Sequence, residues 1–596
     1  MHKSHLSELY DYNKAYKSAK AAVQRHARQD KKKWLTEQCA EIEEGLKHNN
    51  TKHAFSFVKK MRQGFSAKQR NILDEKGRLL TDLSEIKSRW KRYTEQLYDD
   101  QSVDSDDNRT ASTGAHNEKA SPILVDEVRA AIRRLPRGKA AGFDDLPAEL
   151  IKLDSDIVAK VFCKLCNDIL ENDQWPEDWS RSVFVIIPKV KGTIKCDEHR
   201  TIALISHASK ILLRILLNRL QKTADEEIAD VQMGFRKGVG TRDQIFNLRL
   251  IMAKANEASV PLYMAFIDYK KAFDSVKHRH LWKTLKEFGL CTTVVEVLET
   301  LYKVQRASVR VESELTDWFE IKKGVRQGCL ISPMSFNCYS ERVLRESADE
   351  LKDIGIKVSG RVINNLRYAD DIVLIATSPD DLQKLLDKVD EVSRKFGLEI
   401  STRKTKVMTA ANEKIPLHIH CNGELLEQVE RFCYLGSVIT EGNDSSADIK
   451  ARLGIGRSAM KSLECIWKDR SLNIQTKKRV MQTTIWPVAL YGAETWTLKK
   501  ADMKRMTAFE MTCYRRMLRI SWRQHRTNAS VLDEVGEQNQ LLQLAKARKL
   551  RYFGHVVRAR NLCTSILHGR IDGTRRRGRP RRHWTDGILD WSGICQ

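Results

Sequence analysis

The 596 residues carry 104 Lys and Arg against 78 Asp and Glu, a net charge of +26, and 41 % of them are hydrophobic. That balance excludes a membrane-embedded, collagen-like or wholly disordered chain, and at about 100–200 residues per domain the length accommodates about three to five structural units. The charge is uneven: residues 1–70 hold 16 basic and 7 acidic side chains and residues 541–596 hold 13 and 3. Basic ends on a nearly balanced body point to a polyanionic partner, nucleic acid ahead of an anionic membrane.

In chain order, 1–70 reads as basic helices. The segment 71–98 has a DEKG turn and then an amphipathic helix with Leu83, Ile86, Trp90, Tyr93 and Leu97 at spacings of three and four, a face that must dock. Acidic, small and polar residues without apolar period mark 99–121 as a flexible linker. Residues 122–255 read as mostly helical, interrupted by the apolar run Val183 to Ile187, which ends at Pro188 and leads into a basic loop. From 256 to about 440, short strands such as 262–267 and 372–376 alternate with helices, and from 445 to about 560 the pattern is helical again. Arginine-rich sequence closes the chain. The 13 cysteines are odd in number and scattered, so no disulfide framework or zinc ribbon is expected and a reducing compartment is the default. With no apolar leader and no stretch of spanning length, the expected location is nucleus and cytoplasm, with no membrane partner.

The densest local chemistry is RYADDIVLIAT at 367–377, where Asp370 and Asp371 stand directly before an apolar strand. An Asp pair at a turn has an ordinary reading as a turn cap. A second acidic strand end changes its weight: in YMAFIDYKKAFDSV, 263–276, an apolar run delivers Asp268. Carboxylates gathered from two strands make a site that is costly without divalent cations, and an all-oxygen set suits Mg²⁺. Two such ions fit in-line phosphoryl transfer, so nucleotidyl transfer is the reaction class.

These residues stand in an ordered series: IIPK at 186–189, HRTIALISHASKILLRILLNRL at 199–220, QMGFRKGVGTRDQI at 232–245, AFIDYKKAFDSV at 265–276, GVRQGCLISPMSFN at 324–337, RYADD at 367–371, GLEISTRKTKVM at 397–408 and CYLGSVI at 433–439. The series resembles the reverse transcriptases of non-LTR (LINE-type) retrotransposons, and RYFGHVVRAR and GRPRRHW resemble the ends of such elements. The resemblance implies an α+β right-hand polymerase. Its parts would be a basic helical extension over 1–98, a linker over 99–121, fingers over 122–260, a palm with an antiparallel sheet over 261–440, a thumb over 445–530 and a basic carboxy-terminal region over 531–596.

It also implies roles. Asp268, the backbone carbonyl of Tyr269, Asp370 and Asp371 would hold two Mg²⁺ ions, or Mn²⁺. Phe273 would exclude a ribose 2′-hydroxyl, its other reading being a core Phe, while Asp274 reads as bonded within its own turn. Gln327 and Gly328 would face the nascent base pair. Lys189 and Arg200 would hold the incoming triphosphate, or else form a solvated basic loop. Lys404 would protonate pyrophosphate; Ser401 stands where the family shows Asn, and Lys406 is the alternative lysine. Trp486, Trp496 and Trp522 read as core. Template RNA, primer DNA and dNTPs are the expected partners. Residues 1–121 cannot contain the endonuclease usual in complete elements, so nicking is expected from another polypeptide, or the sequence is a shortened copy. The alternative from another class is a catalytically idle nucleic-acid-binding remnant.

Overall fold

Three apolar runs decide where sheets form: RSVFVIIP, LYMAFI and DIVLIA. Every residue of LYMAFI is buried and so are the last five of DIVLIA. A strand covered on both faces is written as a continuous apolar run rather than an alternating one. The computed structural model describes residues 2–47, 52–62, 71–100, 120–153, 155–190, 192–348, 350–411, 415–536, 540–574 and 581–592. Two units are present. One comprises Met1–Ser66, Arg431–Thr564 and Arg577–Gln596, the other Ala67–Glu430 and Ser565–Arg576.

In the second unit the labelled elements are α1 (Leu83–Tyr98), β1 (Arg181–Pro188), β2 (His199–Ile205), α2 (His207–Glu227), α3 (Thr241–Glu257), β3 (Leu262–Ile267), β4 (Arg306–Val311), β5 (Glu314–Leu315), β6 (Phe319–Glu320), α4 (Ser332–Ala348), β7 (Asn365–Tyr368), β8 (Asp371–Ala376), α5 (Pro379–Lys395), β9 (Lys406–Ala410) and β10 (Glu427–Gln428). One sheet has the order β7-β8-β3-β9-β10 and is antiparallel except for the β9–β10 pair. The other runs β2-β1-β4-β5, with β6 also on β4. The expected strands 183–187, 262–267 and 372–376 are all present.

Helix α5 shows why a polar surface and an apolar face coexist in one segment. Ser378 caps it by accepting from the Asp381 amide, Pro379 opens it, and Asp380 and Asp381 in the first turn with Arg394 and Lys395 in the last complement its dipole. Leu382, Leu385, Leu386 and Val389 are buried, and the helix packs on β3 and β8. Helix α1 docks as its periodicity predicts, although the buried line is Ile86, Trp90, Thr94 and Tyr98, with Tyr93 and Leu97 at its margin. It rests on β4 and β6.

The structure draws boundaries differently from the sequence. The extension expected over 1–98 is shared between both units, as is the region 531–596. The sheet of the expected fingers takes β4, β5 and β6 from the segment expected as palm, because the parallel β1–β4 pair needs a long crossover connection. Most of the 99–121 linker and the arginines at 575–577 and 579 lie outside the described residues. Cys163 and Cys166, in C-x-x-C spacing, are free thiols on the helix Ser155–Asn172. Among the described residues no helix is long and apolar enough to cross a membrane.

The first unit is helical around Trp467, Trp486, Trp496, Phe509 and Tyr514. The helix His2–Lys47 adds Leu35, Cys39 and Ile42, and its Glu43 pairs with Arg479 at 2.7 Å. CYLGSVI forms a hairpin, Arg431–Tyr434 against Ser437–Thr440, turning through Leu435 and Gly436 at φ of 47° and 80°. Trp486 and Trp496 are fully buried, whereas Trp522 is 79 % exposed and corrects the core reading. It sits on the short exposed turn Trp522–Gln524, with the Arg523 guanidinium 5.7 Å from its ring.

Lys549 lies buried here, donating to the Trp496 carbonyl at 3.0 Å, with the indoles of Trp584 and Trp591 at 4.8 and 5.5 Å. Burial, with Arg582 as a like charge, pulls it down to about 7. The folded chain thus releases this proton near pH 7, while the unfolded chain keeps it toward the ordinary value of 10.5. The unfolded state then binds more protons across that window, so stability rises with pH. The melting temperature is expected to climb from pH 7 to 9 by roughly 5 °C and to stay flat in Lys549→Met; equal slopes in the two would remove Lys549 as the cause.

Candidate active site

Asp268 follows the buried strand β3 directly, so the core on both faces of the strand fixes where its carboxylate emerges. The β7–β8 hairpin pairs Tyr368 with Asp371 and leaves Ala369 and Asp370 as its two-residue loop. Ile372 lies opposite Ile267 in the next pair of strands, and that register sets Asp371 across from Asp268. Two adjoining strand ends therefore present all three predicted carboxylates together.

Their electrostatics carry the mark of that crowding. Burial raises the Asp370 carboxyl above its ordinary value and the charge of Asp268 adds to this, while Arg200 and Lys404 oppose it. Asp371 reaches the surface, yet the protein around its carboxyl, with Asp370 and Asp268 as like charges, pushes it up to about 6. A divalent cation relieves such a cluster, and three carboxylates are the hard oxygen donors it prefers. Among the described residues no three or more His, Cys, Asp and Glu are arranged as a ready metal cage. The donor chemistry fits a divalent ion; the side chains would have to converge on it.

The basic residues are near. Lys404 Nζ lies 3.0 Å from Asp268 Oδ1. It is held there by a loop laced to Asp268: the Ser401 amide donates to the Asp268 carbonyl at 2.8 Å, and the Asp268 amide to Thr405 Oγ1 at 3.3 Å. Ser401 therefore closes the loop through its backbone, whatever its side chain. Lys406 points elsewhere, to Glu427 at 2.8 Å. Lys189 donates to the Asp197 carbonyl at 3.1 Å; burial, with Lys404 and Arg200 as like charges, lowers it. Arg200 and Lys404 thus share one field with the carboxylates, and Lys189 lies in the field of those two cations.

Phe273 stacks on Phe336 at 4.4 Å and meets Phe235 edge-on at 6.4 Å. Tyr269 is buried, its hydroxyl 2.9 Å from Ser393 Oγ, so its ring belongs to the core and only its backbone remains for a ligand. Asp274 is not closed on its own turn: its carboxylate accepts from Tyr98 at 2.8 Å and from Gln327 at 3.0 and 3.1 Å. Gly328 has a φ of 114°, and a Cβ there would meet the Ala203 carbonyl oxygen at 2.9 Å, so β2 itself is one neighbour that demands glycine.

Sequence reasoning missed the support of the hairpin. Ala369 has a φ of 57°, a conformation costly for alanine. Gln232, 1 % exposed, holds it: Gln232 Oε1 accepts from the amides of Ala369 and Gly234, both at 2.8 Å. Gln244 Nε2 bonds the carbonyls of Val231 and Arg367, and Arg367 is buried against Glu341 at 2.7 Å. The motif QMGFRKGVGTRDQI contained both glutamines, but nothing local tied it to a turn some 137 residues away.

Residues 187–439 match the family described as reverse transcriptase (RNA-dependent DNA polymerase). A putative transposon-derived protein of Caenorhabditis elegans is 31 % identical over 248 residues, 39 % of this chain and 86 % of that protein. The chain belongs to the reverse transcriptase family. Its relatives include polymerases of non-LTR retrotransposons. One is the Pol polyprotein of the type-1 element R2 of Nasonia vitripennis, 28 % identical over 53 % of this chain and 31 % of that protein. Another is the RNA-directed DNA polymerase of the mobile element jockey of Drosophila melanogaster, 23 % identical over 67 % and 44 %. The chain spans less than half the length of these two. Among solved structures it is similar to apo telomerase of Candida tropicalis, with a TM-score of 0.36 and 14 % identity over 67 % of this chain and 70 % of that one. The expected α+β mixture is present, and the carboxylates stand at strand ends of a largely antiparallel sheet. Members of the family generally use divalent metal ions.

Proposed function

We propose that this chain is an RNA-directed DNA polymerase that extends a primer 3′-hydroxyl with dNTPs on an RNA template. The observation that carries the reading is the meeting of Asp268, Asp370 and Asp371 at adjoining strand ends in the field of Arg200 and Lys404, which also reach Lys189. In the reaction the primer 3′-oxygen bonds to the α-phosphorus of the nucleotide while the bond to pyrophosphate breaks. Asp268, Asp370, Asp371 and the Tyr269 carbonyl would hold two Mg²⁺ ions, or Mn²⁺, which would supply Lewis acidity to the phosphoryl transfer. Lys404, 3.0 Å from Asp268 Oδ1, is placed to exchange that carboxylate for a phosphate oxygen and to give a proton to pyrophosphate. Lys189 and Arg200 neutralise the triphosphate, a task in which an ammonium and a guanidinium fork both serve. Template RNA and primer DNA are the partners.

Primer extension by the full chain on RNA, with dNTPs and Mg²⁺, tests the reading; no extension on RNA beyond that on an untemplated primer would sink it. Phe273 sets the sugar preference, its ring held rigid by the Phe336 stack. Phe273→Val is expected to raise ribonucleotide incorporation relative to deoxynucleotide by roughly 10- to 100-fold. Competition between labelled rNTP and dNTP measures this, and an unchanged ratio removes the gate.

A further inference from the structure

Helix α1 ends in a tyrosine that touches the polymerase machinery although it lies well before the family-matched residues, which begin at 187. Tyr98 is 2 % exposed, and its hydroxyl donates to Asp274 Oδ1 at 2.8 Å. With that proton committed, Thr201 Oγ1, 3.0 Å away on β2, is the donor in the second contact. The Tyr98 carbonyl accepts from the amides of Lys322 and Lys323 at 3.0 and 3.3 Å. Asp274 in turn receives Gln327 Nε2 on both oxygens. The turn and the loop are also stitched directly, Val325 to the Phe273 carbonyl and Gly324 to that of Val276, each at 2.7 Å.

An amide side chain can present either end, and a carboxylate decides between them because it only accepts. Asp274 therefore orients Gln327 so that its nitrogen faces inward and its carbonyl oxygen is the end left for another partner. The Gln327 backbone is pinned as well, its carbonyl accepting from Ala203 at 2.8 Å. Burial raises the Asp274 carboxyl, and the hydrogen bonds of Tyr98 and Gln327 with the charges of Lys271 and Lys189 work against that rise. Removing the tyrosine hydroxyl leaves a buried charge one donor short.

We propose that Tyr98 is a positioning residue for nucleotide addition, acting through Asp274 to fix the Gln327 amide, so that α1 is part of the polymerase site rather than an appendage to it. This rests on the polymerase reading. The test is steady-state primer extension by the full chain at varied dNTP, comparing wild type, Tyr98→Phe, Gln327→Ala and the double variant, with melting temperatures for each. Tyr98→Phe is expected to raise KM for dNTP about tenfold, the worth of a hydrogen bond to a buried charge, with kcat unchanged. In the Gln327→Ala background the same change is expected to do nothing further. Unaltered KM, a full additional effect in that background, or a fall in melting temperature with kcat and KM moving alike overturns the proposal. An inactive wild type would condemn the polymerase reading instead. Hydrogen exchange over 322–328 then decides the relay without turnover: faster exchange in Tyr98→Phe is expected, and equal exchange overturns it.

Discussion

Asp370→Asn is expected to lower primer extension by on the order of a thousandfold, the several kcal/mol that a metal-held carboxylate site contributes to phosphoryl transfer. The same change is expected to leave the melting temperature, measured without divalent ions, equal to or above that of wild type. Burial and the neighbouring Asp268 raise the Asp370 carboxyl, so the ionised form is disfavoured in the folded chain. The sign follows: between the ordinary carboxylate value and the raised one, the folded state binds more protons, and stability falls as pH rises through that window. An uncharged isostere removes this penalty. Loss of activity with a stable fold is the signature of a site that keeps self-repelling charge for function. Extension equal to wild type would leave the carboxylate cluster without a catalytic role.

The second large effect is expected at a residue with no chemistry. Gly234→Ala places a methyl group against the backbone nitrogen of Ala369 and 3.0 Å from the Tyr368 carbonyl carbon and from Gln232 Oε1. None of these is the free end of a flexible side chain, so the hairpin itself must move. A shift of about 1 Å in a reacting group costs roughly a hundredfold in rate, and overpacking costs about 1–3 kcal/mol of stability. Turnover measured at saturating substrate, with circular dichroism for the fold, checks this. Gly454→Ala is the control: its Cβ meets nothing within 4 Å on an exposed helical position, and activity should be unchanged. A Gly234→Ala enzyme as active as that control would show that the hairpin does not depend on this contact.

The carboxylates were legible because each is written into its own strand. An apolar run that ends in Asp announces a buried strand and the carboxylate it delivers, and LYMAFI before Asp268 and IVLIA after Asp371 do so within a few residues. The amphipathic period of 83–98 likewise announced a docking helix. Trp522 was misread because an indole's preference for burial is an average, and here the residue falls on a short turn with none of its residues buried. Asp274 was misread because its partners, Tyr98 and Gln327, lie far from it in the chain on either side.

By itself the sequence determined the chemistry of this protein: the basic ends, the strands, the acidic residues at their ends and the order of motifs that marks a reverse transcriptase. Only the tertiary structure decided how those groups are held. The register that faces Asp371 with Asp268, the glutamine beneath Ala369, the lysine on Asp268 and the tyrosine behind Asp274 all join residues remote in the chain. The physical reason is one of range. Strand formation and capping depend on neighbours a few residues away, whereas hydrogen bonds to a buried turn or charge can come from any segment that packing brings there.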